Sequence, residues 1–162
     1  MAQTYIAPAG TSIWHVHLKV ANIQRALDFY CGVLWFELIT MYGTDAAFIS
    51  AWGYHHHIWL NTRESKDWLP PPRNATGLYH VAILYPTRKD LAIVTKRVIE
   101  AWYRIGASDH GVSQAIYLSD PDENGIELYR DRPKEERPRK ADGWIEMFTN
   151  GLDVEALLKE AK

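Results

Sequence analysis

Trp14-His15-Val16-His17-Leu18-Lys19-Val20 and Tyr79-His80-Val81-Ala82-Ile83-Leu84-Tyr85 read as one phrase written twice. Each opens aromatic-His-Val, continues as a β-type run and ends where a helix can start. His15 and His80 are 65 residues apart, and so are the candidate helix caps Asn22 and Thr87. Two separate features sharing one offset make an internal repeat. After Asn22, the residues Ile23, Ala26, Leu27, Tyr30 and Leu34 form an apolar stripe of helical period. After Thr87, with Asp90 completing a shortened capping box, Leu91, Val94, Val98 and Trp102 form the second stripe, running toward Gly106 as its stop. Short strand-like runs follow each helix, at 36–41, 46–51 and 54–61, then at 108–112, 114–119 and 125–129. Each half is therefore βαβββ. The expected fold class is α+β, with two tandem βαβββ modules forming an open, barrel-like sheet.

The 162 residues suffice for one compact domain. Module one spans about 12–62, a Pro70-Pro71-Pro72-bearing linker 63–77, module two about 78–131 and a C-terminal tail 132–162. The stretch 130–143 has ten charged residues in fourteen and reads as a solvated strap, and a last helix at 153–160 docks Val154, Leu157 and Leu158 on the body. With 18 basic against 20 acidic residues, a net charge of −2 gives no electrostatic reason to expect nucleic acid or an anionic membrane as partner. No apolar run reaches transmembrane length, and the opening Met1-Ala-Gln-Thr-Tyr lacks the pattern of a signal peptide. Cys31 stands alone, which excludes an internal disulfide and a CxxC metal knuckle, and it reads as a small buried filler. The expectation is a soluble, cytoplasmic protein.

Phosphate loops, dinucleotide glycine motifs, HExxH helices and GxSxG elbows are all absent. What the repeat offers is a histidine at the same place in each first strand, His15 and His80, plus Glu127 in the final strand. Two imidazoles and one carboxylate, brought together by pairing the halves around a metal cavity, form a facial triad that suits Fe(II) or Mn(II) and leaves positions open. His17 shares a strand face with His15 and is either a supporting group or a neighbour. In Tyr54-His55-His56-His57-Ile58-Trp59-Leu60-Asn61, strand alternation puts His56, Ile58 and Leu60 on one side and His55, His57 and Trp59 on the other. Periodicity alone does not choose between them.

The stretch 15–30, His-Val-His-Leu-Lys-Val-Ala-Asn-Ile-Gln-Arg-Ala-Leu-Asp-Phe-Tyr, resembles the opening strand and helix of the vicinal oxygen chelate superfamily, which contains glyoxalase I, bleomycin-resistance proteins and extradiol dioxygenases. The stretch 107–129 resembles its closing hairpin. Within the superfamily the sequence is most similar to catechol 2,3-dioxygenase-like proteins. His110, five residues, Ile116-Tyr117, Asp120-Pro121 and Glu127 match the extradiol signature, with Glu123 standing where that pattern has Gly. If that position needs φ > 0, the departure costs about 1 kcal/mol.

The resemblance implies a metal-dependent extradiol ring-cleavage dioxygenase acting on a catechol-like aromatic diol with O2. It implies His15, His80 and Glu127 as ligands of Fe(II) or Mn(II), and Tyr117 and His110 as groups that hydrogen-bond the substrate oxygens. It also selects His56, through the apolar Ile58 and Leu60, as the acid/base residue. Two alternatives share the fold: a protein that only sequesters a metal or ligand, and a glyoxalase-type lyase or isomerase. The second would want a carboxylate ligand in the strand at 54–61, which has none. Longer relatives of this kind carry two module pairs, so a homodimer could replace the missing half.

Overall fold

The structure, a computed structural model, describes residues 6–72 and 74–162. Residues 1–5, whose sequence lacks a signal-peptide pattern, and Arg73 of the linker lie outside the described residues. Each half builds its own sheet. In the first, β1 (Val16–Lys19), β2 (Glu37–Tyr42), β3 (Ala46–Ser50) and β4 (Ile58–Asn61) take the order β1-β4-β3-β2. In the second, β5 (Val81–Leu84), β6 (Gly106–Asp109), β7 (Ser113–Ser119) and β8 (Gly125–Asp131) repeat it as β5-β8-β7-β6, and β9 (Asn150–Gly151) adds to the edge. The first strand of each half runs parallel to the last, and the other pairs are antiparallel. A parallel pair needs a long crossover, which the intervening helix and strands supply. The fold is the expected α+β class, with the sheets left open and no closed barrel.

Asn22 and Thr87 both cap. The Asn22 side chain accepts from the Arg25 amide at 3.0 Å, and the Thr87 hydroxyl accepts from the Asp90 amide at 3.1 Å. They open α1 (Ile23–Leu27) and α2 (Arg88–Glu100). Helix α1 then widens into a π-helical segment, Asp28–Val33, which the regular stripe did not signal. Helix α2 stops short of Gly106, because Trp102 takes φ 65 and the Tyr103 amide reaches back to the Val98 carbonyl at 3.1 Å. That is a Schellman closure made with tryptophan where glycine is usual, and it frees Gly106 to open β6. A short α3 (Val154–Leu158) is capped by Asp153 and buries Leu157 against α2.

Alternation decides which side chains meet the helices. Leu18, Ile49, Ile58 and Leu60 of the first sheet, and Ile116, Ile126 and Leu128 of the second, are buried with Phe29, Tyr30, Leu91, Val98 and Leu157. The same period turns His17, Trp59 and Phe48, and Ala82, Glu127 and Tyr117, to the opposite face.

The β7–β8 turn joins the halves. Its buried Asp120 accepts from the Tyr30 hydroxyl at 3.0 Å, and Asp122 accepts from the Ala21 amide at 3.0 Å and from Arg25. Burial pushes the Asp120 carboxyl above its ordinary range. In the same turn Glu123 adopts φ 63, the left-handed conformation its departure from Gly put in question. Glu123→Gly is therefore expected to raise stability by about 0.5–1 kcal/mol, read as a higher urea midpoint at unchanged slope.

Candidate active site

In the second sheet the register places Ala82, Glu127 and Tyr117 in one row across β5, β8 and β7. His80 stands one residue before β5. Its Nε2 lies 2.9 Å from Glu127 Oε2. The Tyr117 hydroxyl donates to the other carboxylate oxygen, Oε1, at 3.1 Å, and His110 Nε2 is 2.7 Å from that hydroxyl. His80, Glu127, Tyr117 and His110 thus form one unbroken polar chain. Burial first, and then the charge and hydrogen bond of Glu127, push the Tyr117 hydroxyl up to about 12, so it remains a donor at neutral pH.

Gly125 lets this chain assemble. A Cβ there would lie 2.1 Å from the Tyr79 carbonyl oxygen and 3.1 Å from the His80 Cβ. Gly125→Ala is expected to force β5 and β8 apart, costing about 1–3 kcal/mol of stability, as thermal unfolding would read.

The first sheet carries the matching row His17, Trp59 and Phe48. It is aromatic where the second is polar: His17 stacks on Trp59 at 3.8 Å and 5°, and Trp59 on Phe48 at 4.9 Å. Trp59 occupies the register position that Glu127 holds in the second half. Asn61 donates to His17 Nε2 at 2.5 Å, and burial, Arg63 and His15 lower the His17 pKa, so that ring is already engaged as a neutral acceptor. His15, one residue before β1, is exposed and places its ring 4.7 Å from that of His56.

The strand expected at 54–61 begins only at Ile58, so alternation does not extend to His55 and His56. His57 is tied into both neighbouring strands through Ile49 and Val16. Its Nδ1 accepts from the Ala51 amide at 3.3 Å and lies 2.8 Å from the Ser50 hydroxyl. His56 instead turns its ring toward His15 and toward Phe48, at 5.0 Å. Partial burial and the neighbouring imidazoles lower the His56 pKa, leaving a neutral ring able to take a proton at pH 7. Cys31 is half-buried and burial raises its thiol pKa, the condition of an unreactive filler.

His80 Nε2 and Glu127 Oε2 fit a metal. Two adjacent donors at about 2.1 Å from one octahedral ion lie about 3 Å apart, the separation seen here. The buried His80 Nδ1 has no hydrogen-bond partner among the described residues. His15 is not brought up to this pair: among the described residues no three His, Cys, Asp or Glu side chains are grouped to hold an ion. It does line a cleft of about 250 Å³ shared by the two halves, with Trp14, Trp52 and His57 on one side and β5 residues Val81 to Leu84 on the other. Of the sequence candidates, His80, Glu127, Tyr117 and His110 meet, while His15 and His56 meet separately. Asn61, Trp59 and Gly125 carry parts of the site that no sequence motif singles out.

Two open βαβββ sheets, each pairing its first strand parallel with its last, define the class of the fold. A family model for the glyoxalase/bleomycin resistance protein/dioxygenase superfamily matches residues 12–128, and the chain belongs to that superfamily. It is 43% identical over 151 residues to a catechol-2,3-dioxygenase of Bacillus subtilis (strain 168), covering 93% of this chain and 52% of that protein. It is 31% identical over 123 residues to biphenyl-2,3-diol 1,2-dioxygenase 2 of Rhodococcus globerulus, covering 72% of this chain and 61% of the relative. The chain thus spans about half the length of the first of these relatives and under two thirds of the second. Among solved structures, a glyoxalase/dioxygenase from Nostoc punctiforme aligns with TM-score 0.63 at 20% identity over 82% of this chain and 100% of that one. A glyoxylase/bleomycin resistance protein/dioxygenase domain from Frankia sp. EAN1pec gives 0.64 at 17% identity, over 75% of this chain and 98% of that one. No helix among the described residues is long and apolar enough to cross a membrane.

Proposed function

We propose that this chain is a metal-dependent extradiol ring-cleavage dioxygenase that acts on a catechol-like aromatic diol with O2. The observation that carries the reading is the run from His80 through Glu127 and Tyr117 to His110. It joins a donor pair of metal-ligand spacing to a proton-carrying chain for which mere sequestration has no use. The names of the Bacillus and Rhodococcus relatives both point to vicinal aromatic diols. His15, His80 and Glu127 would hold Fe(II) or Mn(II), with His15 supplied from the start of β1. When bound, such an ion supplies Lewis acidity toward a chelating diol and electron exchange with O2.

The chain's own residues do the rest. Trp14 and Trp52 line the shared cleft beside His15 and would offer aromatic faces to a ring bound there. His56, neutral at pH 7, accepts a proton at a ring nitrogen from a diol hydroxyl. Tyr117 and His110 hydrogen-bond the substrate oxygens and pass a proton along the His110–Tyr117 contact. A lyase of glyoxalase type is disfavoured by Trp59, which fills the register position where the first half would need a second carboxylate.

The test is anaerobic reconstitution with Fe(II), followed by oxygen uptake with a panel of catechols. Uptake of O2 in step with diol loss supports the proposal. Bound iron with no uptake on any vicinal diol would replace it with the sequestering reading.

A further inference from the structure

Beyond the polar chain of the site, the C-terminal tail touches it at one point. Strand β9 pairs antiparallel with β6, Ser108 with Gly151 and Asp109 with Asn150. Continuing that register sets Thr149 opposite His110. There His110 Nδ1 lies 3.1 Å from the Phe148 carbonyl oxygen and 3.3 Å from the Thr149 hydroxyl. The Phe148 ring packs beside Gly111, where a Cβ would fall 2.8 Å from it.

Proton counting along the chain gives these two tail groups different meanings. Glu127 Oε1 only accepts, so the single Tyr117 proton points to it. The Tyr117 oxygen must then accept from His110, which requires a proton on His110 Nε2. A neutral imidazole so protonated presents a bare lone pair at Nδ1. The Phe148 carbonyl, an acceptor, cannot meet that lone pair. The Thr149 hydroxyl can, by donating to it. With the opposite tautomer, Nδ1–H would satisfy Phe148, but Tyr117 would be left between two acceptors with one proton, so that either its contact with Glu127 or its contact with His110 is lost.

We infer that Thr149 is a positioning residue, whose hydroxyl holds neutral His110 in the Nε2–H tautomer that keeps Tyr117 aimed at Glu127. Its catalytic relevance rests on the dioxygenase reading, but the tautomer does not. The experiment is therefore run on metal-free protein without substrate, by long-range ¹H–¹⁵N spectroscopy of labelled histidine above the pH at which His110 loses its charge. Wild-type His110 is expected to show a pyridine-like Nδ1 and a protonated Nε2. In Thr149→Val the Nδ1–H form should rise about fivefold relative to the other, the ratio that one hydrogen bond is worth. Thr149→Ser should restore the wild-type signature, since it keeps the donor and removes only a methyl group. A wild-type ring protonated at Nδ1, or a Thr149→Val spectrum unchanged from wild type, overturns the inference. Either result leaves the oxygen-uptake test of the function untouched.

Discussion

Glu127→Ala is expected to lower metal affinity by more than about 100-fold, since losing a mere outer-sphere partner of a ligand already costs about 10–100-fold. Its carboxylate does two things at once: Oε2 lies 2.9 Å from His80 Nε2, and Oε1 takes the Tyr117 hydrogen bond. The alanine variant loses both, while Tyr117→Phe loses only the second. Elemental analysis of untagged protein should therefore find near-stoichiometric Fe or Mn in wild type, an intermediate content in Tyr117→Phe, which loses only the outer-sphere hydrogen bond to Glu127, and almost none in Glu127→Ala. His80→Ala should fall with Glu127→Ala. His15→Ala should do the same, because the repeat makes it the counterpart of His80, and because His17, the other candidate in the first strand, is already stacked on Trp59 and bound by Asn61. Full metal content in Glu127→Ala would remove that residue from the ligand set.

The paired sheets were legible because the repeat is written in residues whose roles are local. Asn22 and Thr87 cap for reasons contained in three residues, and the alternation of Leu18, Ile58 and Leu60 against His17 and Trp59 needs only the pleat. Glu123 was legible for the same reason, since one backbone angle decides it. What escaped depends on long-range placement. Trp102 closes α2 in a conformation that propensity assigns to glycine, and the two-residue β9 has no pattern of its own, gaining its place from β6. The facing of His55, His56 and His57 was not legible either, because the alternation argument assumed a strand that in fact starts after them. Of the site, Tyr117 and His110 were legible only through the family resemblance, Tyr117 facing Glu127 across β7 and β8 and His110 lying in the β6–β7 turn, whereas the approach of His15 depends on how the two sheets meet.

His56→Ala is expected to keep its metal and lose about 10²–10⁴-fold in kcat, roughly 3–5 kcal/mol of transition-state stabilisation. Of the three consecutive histidines, His57 is held in place by Ser50, Ala51 and the ladder to Ile49, so its ring serves the strand start. His56 alone faces both His15 and Phe48, at the edge of the aromatic row, with its pKa lowered so that it is neutral where the reaction would need a base. His55 contacts His56 through the two Nδ1 atoms at 2.6 Å, a contact that only one proton can bridge. Losing it should disturb the His56 tautomer without removing the base, so His55→Ala should retain activity within about tenfold, the scale of one hydrogen bond. Steady-state oxygen uptake and metal content, measured on the same two preparations, separate the cases. Metal lost from His56→Ala would make that residue a ligand, and full activity would move the acid/base role to His57, whose variant would then carry the large loss.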